Sequence, residues 1–349
     1  TAATRVDENG LVNYAEILSA ELVVDGGFDD SGEWTSSNDT GGAWVISGGK
    51  ATVDCSSNSI LNNNSSYTIV TGTIYKCTFD ITEFNSGTVR IRMGSGGTAN
   101  GTVRAAVGTY TEYIVGVAGA KNINFEASFS SGFDGSIDNV SVKEAARDNV
   151  PRIDYTGGGC PHILAEPQRT NLVTYSSDFS QSYWTKQSGI VATYNTTETL
   201  SPDGTYNATK FIGNGSTGVY KASIGVSGVV SRSVYLKSVS GTTTAFFRGP
   251  NTSLPTPIAL TITNEWQRFE LIGDNGSALQ GLWIDDIGSD GLYMWGAQLE
   301  AGSYATSYIP TSGSTVTRNQ DIFTRDGIGS LINSTEGVLF AEMAAFEDD

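Results

Sequence analysis

The segment LVVDGGFDDSGEWT, from Leu22 to Thr35, returns 150 residues later as LVTYSSDFSQSYWT, from Leu172 to Thr185. Both open on Leu-Val, carry a Phe in the middle and close on Trp-Thr, so Leu22, Val23, Trp34 and Thr35 recur at Leu172, Val173, Trp184 and Thr185. The two stretches also close alike. Asp134-Gly135 aligns with Asp290-Gly291, and Val142, Glu144 and Ala145 align loosely with Leu299, Glu300 and Ala301. Similar offsets at start and end mean that the repeated object is a whole domain, duplicated and diverged.

Each copy reads as short strands. AWVISGGKATVDC, from Ala43 to Cys55, is two alternating segments joined at Gly48-Gly49, a hairpin signature. TIYKCTFDITEF, TVRIRM, YTEYIVGV and KNINFEASF continue the first copy, and GVYKASIGV, VVSRSVYLKSV, TTTAFFRG, WQRFELIG and GLWIDDIG build the second. Helical periodicity is nearly absent, and 42 glycines with only 16% charged residues fit many turns. Eight or nine strands per copy predict an all-β chain of two tandem jelly-roll β-sandwich domains. The expected boundaries are an N-terminal connector 1–20, a first sandwich 21–146, a Pro/Gly-rich connector 147–170, a second sandwich 171–313, and a connector with the first strand of a third β domain over 314–349.

Charge limits the partners. Twenty Lys and Arg face 37 Asp and Glu, a net charge of −17 with no basic cluster, which predicts no nucleic-acid partner and leaves neutral glycans or cations. No apolar run approaches the roughly 18 residues of a membrane span, so no membrane insertion is expected. The three cysteines lack CxxC spacing and argue against a disulfide framework or zinc site, leaving a Cys55–Cys77 bridge as the one pairing to consider. The chain starts without Met and stops at FAEMAAFEDD, in what reads as mid-strand, and so reads as a piece of a longer protein.

Catalysis finds little support. His162, the single histidine, lies in the connector with Cys160 two residues away and no third group. Asp285 and Asp286 would point to opposite faces of a strand and cannot alone form the carboxylate pair that glycoside hydrolysis needs. The expectation is a non-enzyme. Sugar binding asks for an exposed aromatic beside polar groups that fix hydroxyls. The repeated Trp34 and Trp184, with Trp266 and Trp295, read as core. Trp44 beside a Gly-Gly loop, Trp283 beside Asp285, and Phe247 with Arg248 are the candidate carbohydrate-binding residues.

PRIDYTGGGCPHILAEPQRTNLVTYSSDFS, LYMWGAQLEAGSYATSYIPTSGSTVTR and SLINSTEGVLFAEM resemble a module set of bacteriophage tail-fibre and receptor-binding proteins. In that set a carbohydrate-binding-module-like jelly roll precedes a concanavalin A-like lectin domain, which would begin here near Gly337. TRVDENGLV resembles the segment that in this family runs almost directly into NVPRIDY, which implies that Glu21 to Ala145 is inserted. ELVVDGGFDDSGEW and GSIDNVSV resemble the first and last strands of galactose-binding-like modules, and that resemblance implies a structural calcium held by Asp29 and Asp138.

Together these readings describe a structural, glycan-recognising segment of a tail fibre or virion appendage. Its implied partners are a host cell-surface glycan and other virion subunits, in a homo-oligomer, a trimer by resemblance. Two alternatives stand beside it: the carbohydrate-binding region of an extracellular bacterial polysaccharide-degrading or surface protein, and a fibre spacer that binds nothing.

Overall fold

The computed structural model describes residues 3–30, 32–38, 41–93, 99–117, 123–128, 130–147, 150–157, 160–249, 256–274 and 279–322. The lectin-like start expected near Gly337 lies outside them. Among the described residues there is no helix. The chain divides into two compact units, one of Ala15–Val150 and one of Thr1–Tyr14 with Pro151–Asp349, so it leaves the second unit after Tyr14 and re-enters it at Pro151.

Among the described residues each unit holds ten sandwich strands. In the first, β1 is Trp34–Ser37, β2 Val45–Ile46, β3 Ala51–Cys55, β4 Ile60–Asn63, β5 Ile74–Gly87, β6 Val89–Met93, β7 Ala99–Asn100, β8 Gly108–Val115, β9 Ile123–Ala127 and β10 Phe133–Ala146. In the second, β11 is Thr185–Lys186, β12 Val191–Thr193, β13 Thr209–Ile212, β14 Val219–Gly225, β15 Val230–Ser238, β16 Thr243–Arg248, β17 Ile258–Ile262, β18 Gln267–Gly273, β19 Leu279–Asp285 and β20 Leu292–Ala301.

The strand orders are the same in both. The first sandwich has one sheet β1-β4-β9-β6-β7 and another β2-β3-β10-β5-β8; the second has β11-β14-β19-β16-β17 and β12-β13-β20-β15-β18. Without the two edge strands β1 and β2, these are two four-stranded antiparallel sheets in jelly-roll order, and the fold is therefore two tandem jelly-roll β-sandwiches. The hairpin read at Gly48-Gly49 forms: Val45 pairs with Thr52 and Ile46 with Ala51, and both glycines have positive φ, as a primed two-residue turn requires.

The repeated sequence builds one device twice. Phe28 packs on Trp34 and Phe179 on Trp184, each pair with ring centroids 4.9 Å apart. The Trp34 indole N–H donates to the Asp25 carbonyl at 2.8 Å, and that of Trp184 to the Tyr175 carbonyl at 2.9 Å, nine residues upstream in both. The loop so anchored meets the last strand: Val140 N–H donates to Gly26 O, and Ala297 N–H to Ser176 O. Leu22 N–H donates to Val142 O and Leu172 N–H to Leu299 O, both at 2.9 Å, which makes Val142 and Leu299 equivalent. Just before that crossing the last strand turns through positive φ, at Asn139 in one copy and Gly296 in the other, the residue types that tolerate it.

The cores are separate and apolar. Trp34, Phe79, Phe125 and Phe133 fill the first; Phe179, Trp184, Phe211 and Phe247 fill the second. Cys55 and Cys77 are buried thiols, and the bridge considered between them does not form. Burial pushes the Cys77 thiol well up, which keeps it protonated and inert.

The Pro/Gly-rich connector is more than extended chain. It forms short pairings, Ile153–Asp154 with His162–Ile163 and Arg169–Asn171 with Val316–Arg318. A buried ionic cluster ties these together. Arg152 and Arg318, both fully buried, contact Glu166 Oε2 at 2.8 and 2.6 Å, Arg152 also pairs with Asp321, and Ser307 N–H and O–H donate to the two Glu166 oxygens. Burial opposes ionisation of Glu166, but the guanidinium groups of Arg318 and Arg152 outweigh it and hold the carboxyl below its usual range.

Two predictions follow from these contacts. Trp34→Ala and Trp184→Ala each lower stability by about 3–5 kcal/mol, measured by urea unfolding. A carboxyl with a depressed folded pKa stabilises above its unfolded value, about 4.3, and that contribution is lost as pH falls through the folded value. Stability of the 151–322 unit therefore declines on acidification below about pH 4. Glu166→Gln flattens that decline and costs roughly 3–5 kcal/mol at neutral pH, because the two buried guanidinium groups lose the carboxylate they share.

Candidate functional site

Each sandwich has two outward faces, and in each one of them is occupied. In the second sandwich, Trp295 on β20 is buried against Tyr308 at 4.5 Å and Tyr235 at 5.3 Å, with Val12 in the same cluster. In the first, the face of β5, β8 and β10 receives Glu16, which pairs with Lys76 at 3.0 Å and Arg147 at 3.2 Å, while the Arg147 guanidinium lies 3.9 Å over Tyr113. The chain's entering and leaving segments thus take one face. The other face, on the sheet centred on β9 or β19, carries the outward-pointing groups.

Register places those groups in rows. Across the first sandwich, Asn100, Arg92, Asn124, Asn62 and Thr35 stand side by side on β7, β6, β9, β4 and β1. Across the second, Arg248, Trp283, Tyr220 and Thr185 occupy the same row on β16, β19, β14 and β11. Two residues along, Arg90 pairs in register with Glu126, and Phe246 with Asp285. By strand and row, Arg92 corresponds to Arg248 and Glu126 to Asp285.

Both copies close that correspondence with the same ion pair. Arg92 Nη1 donates to Glu126 Oε1, and Arg248 Nε and Nη2 donate to Asp285 Oδ2 at 2.9 and 2.5 Å. Glu126 also receives Arg90, whose Nε and Nη2 lie 2.7 and 2.6 Å from Oε2. These pairs sit low on the face: Arg92 is 7% exposed, Asn124 3% and Glu126 4%. A guanidinium and a carboxylate fixed side by side offer donors and an acceptor to vicinal hydroxyls; beside them stand the amides of Asn124 and of Asn62, the latter donating to Thr35 O and Ser37 Oγ.

The second copy surrounds its pair with rings. The Trp283 indole stacks on Tyr220 at 4.2 Å and 25°, while the Arg248 guanidinium lies 3.7 Å from the indole centroid. Tyr220 and Arg248 come from the strands on either side of β19, so they cover opposite faces of the indole. The sugar-stacking platform expected of Trp283 is therefore closed. What remains open is the rim of that stack and Phe246, which is 39% exposed.

The structure thus brings together Arg248, Trp283 and Asp285 and separates Phe247 and Trp44 from them. Phe247 is fully buried because alternation turns it inward, and its neighbour Phe246 takes the outward place. Trp44 is 6% exposed and stacked on Phe133 at 6.1 Å, so it is core, not a platform. The cause is Gly42, where a Cβ would lie 2.0 Å from Asp54 O: the bare backbone comes against β3 and turns Trp44 inward. Trp266, expected in the core, is only partly buried, with its indole N–H on Leu200 O at 2.7 Å. Arg90, Arg92, Asn124, Glu126, Asn62, Tyr220 and Phe246 are absent from the sequence-derived candidates. Their signal was the alternation in VRIRM and INFEA, which sets two guanidinium groups, an amide and a carboxylate on one face of neighbouring strands.

The calcium expected at Asp29 and Asp138 meets a loop closed by hydrogen bonds. Asp25 Oδ1 and Oδ2 accept the N–H groups of Asp29 and Asp30, Asp138 Oδ1 accepts that of Asn139, and the Asp25 and Gly26 carbonyls accept from Trp34 and Val140. Among the described residues no three His, Cys, Asp or Glu side chains converge on one point. A hard cation wants about six to eight oxygens, and in this loop it would share the Asp25 and Gly26 carbonyls with the hydrogen bonds they accept. His162 stands opposite Asp154 in register, 3.7 Å from a carboxylate that already accepts N–H groups from Val6 and Thr156, while Cys160 is exposed.

No protein-family model matches the sequence, and neither does any curated protein. Among solved structures, the chain is similar to the tandem CBM22 modules of Paenibacillus barcinonensis Xyn10C, at 9% identity and a TM-score of 0.27 over 84% of this chain and 100% of that one. It is similar to the tandem CBM51 modules of a Streptococcus pneumoniae family 98 glycoside hydrolase, at 11% identity and a TM-score of 0.26 over 82% and 97%. An oxalate decarboxylase of Lactobacillus farciminis follows at 8% identity and 0.17, over 82% and 86%. Two of these three are tandem carbohydrate-binding modules, and likeness at this level says nothing about the ligand of this chain.

The ring and the ion pair on β16 and β19 are coupled through Arg248. A double-mutant cycle of Arg248→Met and Trp283→Leu, read by urea unfolding, gives an interaction energy of about 1–2 kcal/mol.

Proposed function

We propose that this chain binds carbohydrate without catalysis, through the equivalent sheet face of each sandwich. The observation that carries the reading is the repeated Arg–carboxylate pair, Arg92–Glu126 and Arg248–Asp285, on the same row of the same sheet. A pair kept in place while its surroundings change from amides to aromatic rings suits one task performed on two ligands. The amide row would exchange hydrogen bonds with hydroxyls; the rim of Tyr220, Trp283 and Phe246 would pack against the C–H edge of a pyranose.

The sequence resemblance supplies the setting: a segment of a phage tail fibre or comparable virion appendage, meeting a host cell-surface glycan in a homotrimeric assembly with other virion subunits. Weak sites repeated along one chain and across its copies gain avidity through effective concentration. A structural calcium at Asp29 and Asp138 belongs to this proposal too, and a higher Tm in calcium than in chelator would support it.

The test is a glycan array probed with the full chain, including host surface polysaccharide and run with and without calcium. Binding that falls about tenfold or more in Asn124→Ala, or in the double variant Tyr220→Ala/Phe246→Ala, supports the reading, since hydroxyl contacts and ring edges each contribute on the order of 1 kcal/mol or more. A folded chain that binds no glycan overturns it and leaves the sandwiches as spacers.

A further inference from the structure

We propose that the first sandwich takes an acidic saccharide, one bearing a carboxylate or a sulfate ester, at Arg90 and Arg92; this rests on the carbohydrate-binding reading of that face. The ionisable side chains of β1, β4, β6, β7 and β9 are Arg90, Arg92 and Glu126. Both Glu126 oxygens are engaged, one by Arg92 and the other by Arg90. The described side chains of these strands therefore set two guanidinium groups against one carboxylate, an excess of one positive charge among them.

That charge is held in place. Arg92 is nine-tenths buried, and its Nε has no hydrogen-bond partner among the described residues. Arg90 keeps 30% of its side chain exposed, which leaves the cluster open on one side. An uncompensated guanidinium in a partly dry site is costly, and an arriving oxyanion relieves that cost while accepting charge-assisted hydrogen bonds. Arg104, bridged to Val89 beside Arg90, lies 3.9 Å from Glu112 and adds no excess charge. The chain's net charge of −17 does not cancel the effect, because exposed charges beyond about 8 Å are largely screened at physiological ionic strength. Neutral glycans were the expectation from composition; the placement of these three residues points the other way.

The second sandwich shows what the charge depends on. Phe246 stands at the position of Arg90, and Arg248 with Asp285 is a balanced pair. The two copies accordingly select different sugars, an acidic one in the first and a neutral one in the second.

The experiment compares binding of the full chain to polygalacturonate, a sulfated galactan and a neutral galactan by isothermal titration, at low and high salt. The expected result is a preference of about tenfold or more for an acidic polymer, weakened by salt, abolished in Arg90→Gln and largely retained in Arg90→Lys, which keeps the charge. The acidic polymer that binds more tightly identifies the oxyanion. Binding of the neutral galactan alone, or acidic binding that survives Arg90→Gln, overturns the proposal and leaves carbohydrate binding intact. No binding to any of the three also overturns it, and with a blank glycan array overturns the reading beneath it.

Discussion

Both sandwiches depend on one hydrogen bond from a tryptophan indole to a backbone carbonyl nine residues upstream. The bond holds the first loop in a closed curve over a Phe–Trp contact, and that curve presents Gly26 O or Ser176 O to the last strand. A jelly roll must bring its first and last segments together across more than a hundred residues, and the closing contact offsets that loss of chain entropy only when both partners are already shaped. The indole supplies the shape by burying its ring and satisfying its N–H in one step. The pairings of Leu22 with Val142 and of Leu172 with Leu299 follow from it.

The faces then divide the labour. In each copy the entering and leaving segments cover one outer face, through Glu16, Lys76 and Arg147 in the first and through Val12, Trp295 and Tyr308 in the second. The remaining face is free to vary. Its fixed element is an Arg reaching diagonally to a carboxylate on the neighbouring strand, and around it the first copy places amides and a second Arg while the second copy places Tyr220, Trp283 and Phe246. Arg248 serves both the ion pair and the indole, which explains how Trp283 stands upright with both ring faces in contact.

The connector shows the same dependence on context. Its prolines and glycines indicate extended chain, and extended chain is present in the pairings of 153–154 and 169–171. Arg152, Glu166, Arg318 and Asp321 look like solvated charges in isolation. Arg152 and Arg318 are buried because a guanidinium flanked by two carboxylates, and a carboxylate flanked by two guanidinium groups, together with Ser307, meet each other's hydrogen-bonding needs.

The duplication, the all-β class, the Gly48-Gly49 hairpin and the core roles of Trp34 and Trp184 were legible in the chain itself, since repeat spacing, alternation and turn residues are local signals. Of the candidate site, Arg248, Trp283 and Asp285 were legible as polar and aromatic residues close in sequence. Trp44 and Phe247 were misplaced, because a Gly-Gly approach and the parity of a strand decide which way a ring points. The row of Arg92, Asn124 and Asn62, and its match to Arg248, Trp283 and Tyr220, could not be read from order along the chain. The strands that carry these rows pair with partners distant in sequence, so only tertiary pairing sets which side chains share that face, and hence which charges are balanced and which are not.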